Sequence, residues 1–68
     1  MLKSNLNKYR LEAGLTQAEL AERVGVSAMS ISYYESGACF PRMRVLLALC
    51  EVLKTSPNQL FERCTNVG

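Results

Sequence analysis

The chain has 68 residues, 49% of them hydrophobic, and eight basic against six acidic side chains give a net charge of +2. That length bounds it to one domain around one small core, and so mild a charge does not by itself indicate a nucleic-acid partner. Three cysteines, Cys39, Cys50 and Cys64, with no C-x-x-C pair, argue against a disulfide framework and for a reducing cytosol. No apolar run approaches ~18 residues, so no membrane span is expected, and charged residues and Asn interrupt the N-terminus too early for a signal peptide.

Leu2, Leu6, Tyr9 and Ala13 follow helical spacing and predict a first helix over residues 2–13, closed by Gly14. Leu11 lies off the main stripe. Arg10 is adjacent to the stripe, so its head must snorkel outward or find a carboxylate. The best-placed carboxylate is Glu35, near a core face further along; the alternative is two independent surface charges.

Thr16 to Gly37 reads TQAELAERVGVSAMSISYYESG. Thr16 is a good N-cap, and Glu19 completes a capping box with it. Leu15 and Leu20 are placed for a hydrophobic staple. Ala18, Ala21 and Val24 recur at three-residue steps with Leu20 beside them, and Gly25 can stop this second helix in the left-handed conformation. Ser27 is a second N-cap, Val26 and Ile31 a second staple, and the third helix runs to Glu35 or Ser36 before Gly37. Two capped helices joined this closely must cross steeply, as in a helix-turn-helix. On the third helix Ile31 and Tyr34 share one face. The opposite face carries Ala28, Met29, Ser32 and Tyr33, and no charge occurs between Ser27 and Tyr34. An ordinary solvent-facing helix places Glu, Lys or Arg there. Small, hydroxyl and adaptable side chains suit close contact with a partner.

Phe40 is expected to be packed, and Pro41 fits the approach to a fourth helix. Met43, Leu46, Leu47, Cys50 and Leu53 give its apolar pattern, broadened by Leu49 and Val52, so it reads as the central core element. Arg42 and Arg44 stand at its N-terminal end, where the helix dipole disfavours cations. Service to a phosphate partner, together with the free helix amides, explains them better than local stability does; the alternative is two solvated arginines. Ser56, Pro57 and Gln59 supply a cap, an N1 proline and a capping-box partner for a short fifth helix bearing Leu60 and Phe61. The expectation is an all-α domain over 1–68, five short helices and no strand, with its core in about 2–62 and a flexible tail over 63–68.

Enzymatic chemistry is not expected. The chain lacks histidine, which removes the usual Ser–His and Cys–His nucleophiles. The cysteines match no common zinc spacing and lack a fourth ligand. No Gly-rich phosphate loop is present, and Glu12, Glu19, Glu22 and Glu62 read as solvated helix residues. No cofactor, metal or small-molecule ligand is implied.

The segment TQAELAERVGVSAMSISYYESG, followed by a proline, the run LLALCEVL and the close SPNQLF, resembles the Cro/repressor-type helix-turn-helix family, also called XRE-like regulators. The likeness covers about residues 5 to 62. It rests on the Thr-Gln helix start, the Ala21-x-x-x-Gly25 turn, Ile31 and the Glu35-x-Gly37 exit, all in register. The resemblance implies a lambda-repressor-like fold with the helix-turn-helix at the second and third helices, the third entering the major groove of duplex DNA. It implies that Gln17 binds backbone phosphate, that Ser27, Ala28, Met29, Ser32 and Tyr33 face bases or adjacent backbone, and that Arg42, with Arg44 beside it, lies near flanking phosphates or the minor groove. It also implies a partly buried salt bridge between Arg10 and Glu35. Many relatives carry Gln at one or both of positions 28 and 29, where it can bond adenine. Ala28 and Met29 cannot, but they can contact thymine methyls.

The function expected is a cytoplasmic, sequence-specific transcriptional regulator, a repressor acting as a homodimer on a palindromic operator, with Leu60, Phe61 and their neighbours as candidates for the dimer surface; the alternative is that these residues simply close the core. Two alternatives stand beside it: an antitoxin or restriction-modification controller acting on its own promoter, and a protein-interaction module in which Met29 and Tyr33 anchor a protein partner.

Overall fold

The computed structural model describes residues 2–63. In chain order these form β1 (Leu2–Ser4), α1 (Leu6–Glu12), α2 (Gln17–Val24), α3 (Ala28–Ser36), α4 (Met43–Leu53), α5 (Pro57–Leu60) and β2 (Phe61–Arg63). The five expected helices are present, and the helices pack around α4 and Leu60. The core comprises Leu6, Leu20, Ala21, Ile31, Val45, Leu46, Leu49, Cys50, Leu53, Leu60 and Phe61, with Tyr9, Leu15, Val24, Val26, Tyr34 and Val52 packed against it.

The ends of the fold differ from the sequence reading. Residues 2–4 are not the first turn of a helix. They pair antiparallel with β2, Leu2 opposite Arg63, Lys3 opposite Glu62 and Ser4 opposite Phe61. Asn5 explains the switch. Its backbone N–H donates to the Leu60 carbonyl at 2.7 Å, and its side-chain amide donates to the Gln59 carbonyl at 2.9 Å and to the Glu62 carboxylate. Glu62 is therefore engaged rather than free. Leu60 and Phe61, 0% and 7% exposed, close the core and are unavailable as a dimer surface. Residues 64–68, with Cys64 and most of the expected tail, lie outside the described residues.

Three packing expectations also change. Ala13 and Ala18 are exposed, so the buried stripe of α2 is Leu20 and Ala21. Phe40 is 52% exposed, although its ring meets the edge of Phe61 with centroids 5.0 Å apart. In α4 the buried face is Val45, Leu46, Leu49, Cys50 and Leu53, while Met43 and Leu47 point outward at 67% and 54% exposure. A helix apolar nearly all round does not reveal by periodicity which side faces in.

The ends of α4 and α5 differ in their capping. Lys54 closes α4 in the left-handed region, φ 54°, where no glycine is available. At α5 the expected capping box does not form: Ser56 makes no side-chain cap bond, and Gln59 Oε1 instead accepts from the Thr55 hydroxyl at 2.6 Å.

Candidate nucleic-acid interface

Local chemistry sets α2 and α3 in place. Thr16 Oγ1 accepts from the Glu19 N–H at 3.0 Å, and Glu19 Oε1 accepts from the Thr16 N–H at 2.8 Å. The charge-assisted bond from the Thr16 backbone N–H, and after it the Thr16 hydroxyl, hold the Glu19 carboxyl below the usual carboxylate range. Gly25, φ +78°, ends α2 with its N–H on the Ala21 carbonyl at 2.8 Å. Two residues later Ser27 Oγ accepts from the Ser30 N–H at 3.1 Å and starts α3. The turn packs α2 directly on α3.

Ile31, fully buried, fixes the rotation of α3. Val26 and Tyr34 lean in beside it. The same rotation turns Ser27, Ala28, Met29, Ser32 and Tyr33 outward, with Met29 64% and Tyr33 47% exposed. Ala28 and Tyr33 mark the two edges of this face. Ala28 borders an open cleft shared with Thr16, Gln17 and Ala18. Tyr33 borders a second one shared with Cys39, Phe40, Arg42 and Arg44. The clefts thus set Gln17 beside the Ala28 edge of the α3 face, and Arg42 and Arg44, both exposed, beside its Tyr33 edge.

The electrostatics of this side depend on Glu35, the only acid in α3. Its carboxylate is turned inward. Arg10 Nε donates to its Oε2 at 2.5 Å, and both side chains are about nine-tenths buried. Gln17 Nε2 donates to Oε1 at 2.9 Å and Asn7 Nδ2 to the same oxygen at 3.3 Å. Arg10 also donates to the Leu15 carbonyl at 2.8 Å. The network joins α1, α2 and α3, and it keeps negative charge off the exposed face. It also commits one N–H of Gln17 inward, which leaves the second N–H and the first amides of α2 for an outside anion. Sequence reasoning missed Asn7. The available signal was its position three residues before Arg10, on the same face of α1.

Among the described residues, no group of three or more His, Cys, Asp or Glu side chains is placed to hold a metal ion. No described helix is long and apolar enough to cross a membrane. Burial pushes the Cys50 thiol up from its ordinary range, while Cys39 is exposed.

Five helices, with two capped helices crossing at a left-handed glycine and an uncharged face on the second, define a lambda-repressor-like helix-turn-helix domain. The model of the family described as "Helix-turn-helix domain" matches residues 5–62. The chain belongs to that family, in its Cro/repressor or XRE-like form. It is 34% identical over 62 residues to the cryptic phage CTXphi transcriptional repressor RstR of Vibrio cholerae, a match covering 91% of this chain and 55% of that protein. The chain therefore spans about half of RstR. It is 30% identical over 60 residues to an uncharacterized HTH-type transcriptional regulator of Archaeoglobus fulgidus, covering 88% of this chain and 86% of that one. Among solved structures it is similar to the P22 c2 repressor in complex with a synthetic operator, with TM-score 0.81, 34% identity and coverage of 85% and 88% of the two chains. It is also similar to SinR, a master regulator for biofilm formation, in complex with DNA, with TM-score 0.73, 32% identity and coverage of 82% and 90%.

Proposed function

We propose that this chain is a sequence-specific DNA-binding transcriptional regulator, a repressor that sets α3 in the major groove and acts as a two-fold dimer on a palindromic operator. The observation that carries the reading is the outward face of α3. It is exposed and uncharged, its helix's one carboxylate is tied inward to Arg10, and cations stand at its margin. The likeness to RstR, and to P22 c2 and SinR solved with DNA, supports the same reading.

In this reading the α2 N-terminal amides and the free N–H of Gln17 meet one backbone phosphate. Arg42 meets phosphates on the other flank, and Arg44 stands beside it. Ser27, Ser32 and Tyr33 supply hydroxyls to phosphate or base acceptors. Ala28 and Met29 contact thymine methyls, the apolar landmark of the major groove. A single domain of this size covers little DNA, so two copies on half-sites one helical turn apart, ~34 Å, supply the specificity.

Selection of bound sequences from a random duplex pool, followed by a salt series, tests this. Affinity is expected to fall steeply with log salt. Arg42→Ala is expected to weaken all duplexes alike and reduce the salt slope by about 1, whereas Met29→Ala changes the preferred bases. A flat salt response overturns the DNA role and leaves a protein partner for the α3 face. Uniform weakening by Met29→Ala overturns its assignment as a base reader.

A further inference from the structure

We propose that the outer face of α4 is where two copies of this chain meet, in an antiparallel α4–α4 contact centred on Leu47. The inference rests on the dimeric reading above and says which surface makes the dimer. Met43 and Leu47 lie one turn apart and are 67% and 54% exposed, on a helix whose other side builds the core. The C-terminal pair that the sequence offered for this role, Leu60 and Phe61, is buried.

The occupant is identified by the charges beside the strip. Arg44 stands about one turn before Leu47 and Glu51 about one turn after it, both exposed on the same side of α4. The single ion pair among the described residues is Arg10–Glu35, so neither Arg44 nor Glu51 has a described partner of opposite charge. A two-fold axis through Leu47 sets Leu47 against Leu47 of the second copy, with Met43 flanking it. The same axis brings each Arg44 to Glu51 of the other copy. A surface with a cation at one end, an acid at the other and an apolar centre is complementary to itself under that rotation, as an isologous contact requires. An unrelated acidic or basic partner matches only half of it. The pairing directs Arg44 to the second copy and leaves Arg42 to the DNA backbone.

Two short helices meeting over about two turns bury less than the ~1,200 Å² of a stable interface. The contact is therefore weak in free solution. It closes on an operator, where the neighbouring half-site holds the second copy at high local concentration.

Charge swaps on the DNA-free protein test the contact by sedimentation equilibrium at high concentration. Arg44→Glu alone and Glu51→Arg alone each place like charges together twice, and each is expected to weaken self-association about tenfold. An equimolar mixture of the two variants restores both pairs in a heterodimer and returns association to near the wild-type level. A mixture that associates no better than either variant overturns the proposal, as does a wild-type chain that stays monomeric throughout. Wild-type binding to a random-sequence duplex across a salt series is measured in parallel. Salt-dependent duplex binding with a failed rescue removes only the α4 contact. A flat duplex response removes the DNA reading, while a successful rescue still establishes the self-contact.

Discussion

At the scale of single residues, Glu35 joins the first three helices. A carboxylate that accepts from Arg10, Gln17 and Asn7 has its lone pairs well used, and a buried guanidinium left without it would be an uncompensated charge. Breaking one side of such a pair costs ~3–5 kcal/mol, a large share of the ~3–10 kcal/mol expected for a domain this small. Glu35→Ala is therefore expected to lower stability by ~3 kcal/mol or more in urea titration. The double replacement Arg10→Met with Glu35→Leu recovers most of the loss, because both desolvation costs go together. The Arg10–Glu35 pairing was one of two readings open at the level of sequence. The roles of Asn7 and Gln17 were not legible there, since they depend on how three helices converge. Glu19 gives a pH-dependent counterpart. Its folded-state carboxyl is held below its ordinary range by the Thr16 bonds, so its charge stabilises the fold above that range and the benefit is lost as pH falls. The thermal midpoint of the wild type is expected to exceed that of Glu19→Gln at neutral pH, with the gap closing in acid. A gap that widens on acidification contradicts the capping-box account.

At the scale of elements, helix ends were easier to read than helix faces. Thr16, Glu19, Gly25 and Ser27 act through atoms a few residues away, so their roles are written locally, and the helix-turn-helix was legible for that reason. The orientation of α4 was not, because Met43 and Leu47 carry the same apolar signal as Leu46 and Leu49. Nor was the end of α4, where Lys54 adopts a conformation usually given to glycine. The two left-handed positions make a paired prediction. A Cβ added at Gly25 meets nothing within 4 Å, so Gly25→Ala is expected to cost only the conformational strain, ~1–2 kcal/mol, with the fold retained. At Lys54 the strain is already present, and Lys54→Gly is expected to gain ~0.5–1 kcal/mol. Urea midpoints for the two variants move in opposite directions; a much larger loss at Gly25 would reveal a contact across the turn that the open space does not contain.

At the scale of the whole molecule, the ends of the fold are fastened to each other rather than left free. A three-residue strand has no periodicity to detect, and its partner lies nearly the full chain away, so β1 and β2 were invisible to a local reading. Asn5 is what makes the pairing specific: one residue supplies a backbone donor to Leu60 and side-chain donors to Gln59 and Glu62. Net contributions near ~1 kcal/mol per hydrogen bond put Asn5→Ala at ~1–2 kcal/mol, because the backbone bond survives and two side-chain bonds are lost. The helix-turn-helix owes its geometry to its caps, Ile31 and the Glu35 network, and no hydrogen bond of those caps or that network involves Asn5. The loss should therefore be regional. In native-state hydrogen exchange, the amides of β1 and β2 are expected to lose protection in Asn5→Ala while those of α2 and α3 keep theirs. Equal loss in both regions would mean that the sheet and the helix-turn-helix open as one unit, and that Asn5 supports the α3 face as directly as Glu35 does.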